Sequence, residues 1–232
     1  TEEKEQLRET LGVETLERDK LLQRADVLQR MNDHFEGYLE SIKFVMREYK
    51  EGRISGAGEI YGPLSTLIQV DKKYIVAIDT ALGTSLQNIV VDNEETAKAA
   101  IYALKRGNAG RATFYPATAI KPASETPEIR DGAKFSGFVG RADTLVECDK
   151  KYRSVVEWLL LRTLVFDNIE NASFAAKRLS YRVKIVTLDG QVINAGGAFT
   201  GGSAKRDSGI LSRSADIANM RTEAEKLDRK IR

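Results

Sequence analysis

An α+β domain carried between the two helices of an antiparallel coiled coil is the architecture this sequence predicts. Three observations predict it: an apolar heptad stripe at each end, one pattern of residues occurring twice in the middle, and a proline-rich stretch between the two occurrences. With 232 residues, 42% of them hydrophobic, the chain can bury a core. The 36 basic and 34 acidic residues nearly cancel, so any affinity for nucleic acid must come from a local cluster. One cysteine permits no internal disulfide, which suits a reducing, cytoplasmic setting. No apolar run approaches the roughly 20 residues that a membrane span needs, so neither a signal peptide nor a transmembrane segment is expected.

The arms come first. With Leu7 at heptad position d, the d series runs Leu7, Glu14, Leu21, Leu28 and Phe35, and the a series Leu11, Arg18, Ala25 and Asn32. Charged residues and glutamines fill most other positions, so 2–35 reads as one helix of roughly 50 Å. Near the other end Ile217, Met220, Ala224, Leu227 and Ile231 follow the same alternating spacing of three and four. Each stripe is too narrow for a broad core face and suits another helix. Packing the first helix antiparallel on the last satisfies both, which makes 1–37 and 215–232 the two arms and looks like a piece of longer ones.

The segment between them is doubled. GPLSTLIQVDKKYIVAIDTAL from Gly62 returns as GRADTLVECDKKYRSVVEWLL from Gly140, 78 positions later. Val90, Asp92, Asn93, Ala97 and Leu104 continue the match onto Val165, Asp167, Asn168, Ala172 and Leu179 after a three-residue deletion. Each copy should run short helix, helix from Lys72 or Lys150, strand (86–91; 163–166), helix (94–105; 169–179) and a further strand. The β-branched Val90 and Val91 favour the strand, and the Asp-Asn pair caps the helix after it. Residues 38–115 and 136–214 are therefore two similar α/β subdomains with mixed sheets, and 116–135, holding Pro116, Pro122 and Pro127, is the linker.

After Asp189-Gly190 the chain begins a strand, then carries Gly196, Gly197, Gly201 and Gly202. Glycine weakens a strand unless the missing Cβ lets another backbone approach. A phosphate is excluded as that partner, because Gly202 stands where a Walker A loop needs lysine. Gly56, Gly58 and Gly62 are spaced one residue too long for a dinucleotide fingerprint. The reading left is pairing of an exposed strand edge with another chain. Chemistry is otherwise thin: the lone His34 lies on a solvated helix face, and Cys148 matches Val70 in the repeat and so reads as a small core residue.

A doubled α/β domain between coiled-coil arms, with ALG followed by LQNIVV, then GRATFYP and DGQVINAGGAFTGGS, resembles the hinge of the structural maintenance of chromosomes (SMC) proteins of the bacterial condensin type. The resemblance covers about 38–214, and a lone cysteine excludes the zinc hook that closes the arms of some relatives. It implies a homodimerisation hinge and not an enzyme, with ATP bound only by distant heads and no cofactor or metal here. It implies that a strand at Arg111, Ala112, Thr113 and Phe114 meets the glycine strand (Gly196, Gly197, Gly201, Gly202) of a second copy. DNA contact, single-stranded or at the arm junction, would fall to Lys105, Arg106, Arg111, Lys205 and Arg206, in a cytoplasmic, nucleoid-associated protein.

Overall fold

The structure, a computed structural model, describes residues 2–202 and 209–231. The chain divides into two compact units, Thr1–Gly37 with Ser212–Arg232, and Tyr38–Leu211.

In the first unit, helix α1 (Glu2–Asp33) pairs with the last helix, α9 (Ile210–Ile231). The pairing is antiparallel, since contacts climb one helix as they descend the other: Lys230 approaches Glu14 at 3.9 Å, Arg18 bonds Asp228 at 2.8 Å, and Asn32 bonds Ser214 at 3.4 Å. The heptad stripes form the seam: Ala25, Ile217 and Ala224 are buried, with Leu21, Leu28, Met220 and Leu227 half-buried beside them. The polar seam positions carry ion pairs and hydrogen bonds, though the buried Nε of Arg213 has no hydrogen-bond partner among the described residues. The Arg18 guanidinium is raised further above its usual range by its bonds to Asp228 and Asp19. Arg213 donates to Asn32 (3.3 Å) and to the Glu36 carbonyl (2.9 Å) beyond the end of α1. α1 stops at Asp33, because Phe35 turns into left-handed backbone (φ 51°). α9 begins five residues before 215, ahead of its heptad stripe.

The second unit starts with α2 (Glu40–Lys50), which belongs to neither heptad nor repeat and buries Ser41, Ile42 and Val45. The first half continues with β1 (Ile60–Pro63), α3 (Leu64–Leu67), β2 (Ile68–Val70), α4 (Ile75–Leu82), β3 (Ile89–Val91), α5 (Glu94–Arg106) and β4 (Phe114–Pro116). Then come α6 (Pro127–Asp131), β5 (Phe138–Arg141), β6 (Val146–Cys148), α7 (Arg153–Leu160), β7 (Thr163–Phe166), α8 (Ile169–Arg178), β8 (Lys184–Thr187), β9 (Val192–Ile193) and β10 (Phe199–Thr200).

One sheet has the order β1-β3-β4 and another β10-β9-β8-β7-β5. In both, the outer pair is antiparallel and the next pair parallel, so β1-β3-β4 corresponds to β5-β7-β8, and only the second sheet goes on through β9 and β10. The duplication extends to irregularities. The ladder bulges between Ile60 and Gly62 in one half and between the matching Phe138 and Gly140 in the other. Asn93 caps α5 by accepting from the Thr96 amide at 3.0 Å, and Asn168 caps α8 through the Asn171 amide at 2.9 Å.

The halves join by strands that the sequence did not announce. β2 and β6 pair antiparallel, Ile68 with Cys148, Gln69 with Glu147 and Val70 with Val146. Gln69 and Glu147 are matching residues of the repeat, so a local pseudo-two-fold axis runs between them. Around it one core is shared: Leu64, Ile78 and Val90 from the first half pack with Val155, Leu160 and Val165 from the second. The opposite face of the second sheet has its own core, where Leu164, Phe166 and Ile185 meet Ala172, Ala175 and Ala176 of α8. Burial on both faces explains why β7, TLVF, follows the buried Thr163 with the unbroken apolar run Leu164, Val165 and Phe166.

Two expected strand bounds are corrected. The strand expected from 86 begins only at Ile89, because Gly83–Gln87 closes into a 3₁₀ turn that buries Leu86. The strand expected at 111–114 runs Phe114–Pro116, because Asn108 (φ 47°) and Gly110 (φ 84°) keep the chain turning until just before it. The linker is partly structured: Pro116 closes β4 and Pro127 starts α6 at a position that needs no N–H. The glycines at 56–62 serve the fold, since a Cβ on Gly58 would lie 2.3 Å from an Asp92 carboxylate oxygen, and the Gly58 amide donates to Thr96 Oγ1 at 2.8 Å.

Candidate functional site

β4 and β10 end their sheets, and among the described residues neither is paired on its outer side. Along β4 the Thr113 carbonyl accepts from Ile89 (3.0 Å), and the Ala117 amide donates to Val91 (2.8 Å). Alternation then turns the peptide groups of Ala112 and Phe114 away from β3. Pro116 falls on that outward series, so its missing N–H costs the ladder nothing.

β10 pairs Phe199 with Ile193 and Thr200 with Val192. The Asn194 amide donates to the Ala198 carbonyl at 2.8 Å, which places Ala198 and Thr200 toward β9 and leaves the N–H and C=O of Phe199 and Gly201 facing outward. The strand is exposed, and the Phe199 side chain is 54% accessible.

The four glycines also have reasons within the chain. Gly196 (φ 92°), Gly197 (φ 94°) and Gly202 (φ 134°) adopt backbone that side chains rarely tolerate. Gly201 is free of that constraint, but a Cβ there would lie 2.1 Å from Gln191 Oε1. Enlarging all four would therefore damage the hairpin itself, so Phe199 is the cleaner probe of the edge.

Lys105 and Arg106 are exposed at the C-terminal end of α5, and Arg111 is exposed ahead of β4. None of the three forms an ion pair among the described residues. Lys205 and Arg206 lie outside the described residues. His34 is exposed, its Nδ1 2.8 Å from the Arg30 carbonyl. Cys148 is half-buried on β6, and burial pushes its thiol pKa up, away from nucleophile chemistry. Sequence reasoning missed Tyr181 and Gln191, which hold the two ends of β10; neither a tyrosine in a loop nor a glutamine after a turn carries a signal for that role.

A doubled α/β unit with open strand edges, on a chain whose ends form a coiled coil, has the architecture of a joining module. Residues 57–175 match the family described as "SMC proteins Flexible Hinge Domain". The chain belongs to that family. It is 38% identical over 208 residues to the chromosome partition protein Smc of Desulfitobacterium hafniense, covering 89% of this chain and 17% of that protein. With the Bacillus subtilis Smc it shares 36% over 197 residues, 84% of this chain and 16% of that one. It thus spans under a fifth of these relatives' length. Among solved structures, an asymmetric dimer of the Geobacillus stearothermophilus SMC hinge domain superposes with a TM-score of 0.86 at 36% identity, over 98% of this chain and 90% of that one. The Pyrococcus furiosus SMC hinge domain matches at 0.58 and 29%, over 81% and 91%. Among the described residues no helix is long and apolar enough to cross a membrane.

Proposed function

We propose that this domain is the homodimerisation hinge of an SMC chromosome-partition ATPase, joining the coiled-coil arms of two copies. β4 of each copy hydrogen-bonds along β10 of the other. The observation that carries this reading is that β4 and β10, edge strands of separate sheets, turn unpaired peptide groups outward among the described residues, and that β10 adds an exposed Phe199. Soluble proteins cover or charge such edges, and β10 presents Phe199 instead. If each copy gives β4 and receives on β10, the three-stranded sheet of one continues into the five-stranded sheet of the other twice over. The contact closes with two-fold symmetry and cannot propagate into a fibre. The relative from Geobacillus stearothermophilus, described as an asymmetric dimer, supports self-association. Light scattering on the chain at micromolar concentration should give twice the chain mass; a single-chain mass across that range would overturn the reading.

DNA contact at Lys105, Arg106 and Arg111, with Lys205 and Arg206, forms the second part of the proposal. It is favoured by three exposed cations in the segment leading into β4 that form no ion pair among the described residues. Reversing Lys105, Arg106 and Arg111 to Glu should weaken DNA binding and flatten its salt dependence, each lost phosphate contact lowering the log–log slope by about 0.9 for duplex or 0.7 for single strands. An unchanged slope would remove these residues from the proposal.

A further inference from the structure

β10 is held to β9 over two residues only, yet it is the edge on which the proposed dimer depends. A ladder that short leaves a strand poorly fixed. Two devices outside the ladder fix it. At the turn end, the Gly196 amide donates to the Tyr181 carbonyl at 2.7 Å and the Gly197 amide to the Asn194 carbonyl at 2.9 Å. Ser180 (φ 54°) and Tyr181 (φ 52°) both take left-handed backbone, a conformation uncommon for such residues, and this aims the Tyr181 carbonyl at the turn.

At the far end, the next rung after Thr200–Val192 would pair Gly202 with Gly190. The Gly190 amide is already committed to the Thr187 carbonyl at 2.9 Å in the β8–β9 turn. The Gln191 side chain takes its place. Its Oε1 accepts from the Gly202 amide at 2.8 Å, and its Nε2 donates to the Gly202 carbonyl at 3.1 Å. A primary carboxamide offers the same donor and acceptor as a peptide group, so the side chain supplies the missing rung.

We propose that Gln191 is the positioning residue that sets the β10 edge for self-association, and that position 201 is glycine to leave room for its carboxamide. This rests on the dimer reading above. It differs from that reading in assigning Gly201 to a contact within the chain, where a Cβ would meet Gln191 Oε1.

The test is a double-mutant cycle of Gln191→Ala and Gly201→Ala, with the near-isosteric Gln191→Glu alongside. Dimer dissociation is followed by sedimentation and the Gly202 amide by hydrogen exchange. Gln191→Glu sets a carboxylate against the Gly202 carbonyl, so it should weaken the dimer roughly tenfold, the scale of one lost rung; because that carboxylate still accepts from the Gly202 amide, it is Gln191→Ala that should speed Gly202 exchange. Gly201→Ala should weaken the dimer in the wild-type background and add little in the Gln191→Ala background. Equal effects of Gly201→Ala in both backgrounds would assign that glycine to the partner chain and overturn the proposal. Unchanged Gly202 exchange in Gln191→Ala, with the dimer intact, would overturn the positioning role of Gln191 alone. A monomeric wild type would overturn the self-association reading, and the positioning role with it.

Discussion

Phe199→Asp is expected to convert the dimer to monomer at micromolar concentration while leaving the fold of each copy intact. The residue sits on β10 with its peptide group turned outward and its ring 54% accessible, so within one chain it contributes little packing. Substitutions at such positions usually change stability by no more than about 0.5 kcal/mol. Across an interface the balance reverses. A central aromatic residue commonly costs about 2 kcal/mol or more when truncated, and a carboxylate adds a desolvation penalty, so a loss of roughly a hundredfold in affinity is expected. A dilution series in sedimentation velocity measures it. The single tryptophan, Trp158, gives a second readout, since its ring stands 5.8 Å from Tyr115 of β4. Its emission should shift on dilution of the wild type and not of the variant. Unfolding must be compared over a range of concentrations, because dissociation alone lowers apparent stability by mass action. An undiminished dimer in the variant would place the contact elsewhere.

The arms were legible because a helix writes its buried face into the sequence every three or four residues. The a and d positions from Glu14 to Asn32 are all half-buried or buried in α1, joined there by Thr15, Gln29 and Met31. Leu7 and Leu11 are exposed although they fit the same heptads, because the pairing with α9 begins near Glu14. The doubling was legible in the Asp-Asn caps and the paired glycines, since those positions require particular residue types. The β2–β6 junction was not. Three-residue strands are too short to show a period of two, and a pairing between Ile68 and Cys148 leaves no mark in either segment alone. The glycine strand was visible but incompletely understood. Its composition pointed to an exposed edge, while the positive φ angles and the Gln191 contact, which also demand glycine, appear only in three dimensions.

Asp143→Ala should be among the most damaging single changes in the second unit, costing about 3 kcal/mol in urea unfolding. The carboxylate is fully buried. It accepts from Arg141 Nε at 2.6 Å and Nη2 at 3.1 Å, and from Arg153 Nη2 at 3.4 Å. Arg153 also donates to the Val146 and Asp143 carbonyls at 3.0 and 2.9 Å, tying the turn after β5 to α7. Deleting the acid leaves the two guanidinium groups with only the more exposed Glu125 and Glu157 as ionic partners and a gap where the buried carboxylate stood. Both arginines are about one-third exposed (28% and 32%), so water relieves part of the penalty and the low end of the range for broken buried pairs applies. The duplication supplies the control. The first half builds the same turn with Pro63, Ser65 and Ile75 at the matching positions, and Ser65 is buried there against the Tyr38 hydroxyl at 2.8 Å. The backbone geometry therefore does not require the ionic cluster. Converting all three residues together, Arg141→Pro, Asp143→Ser and Arg153→Ile, should cost less than Asp143→Ala alone, because no fully buried charge is left behind; the carboxylates that lose an arginine, Glu125 and Glu157, reach solvent. If the triple variant were the less stable of the two, the cluster would be a net source of stability and the loss in Asp143→Ala would have to come from the pair itself.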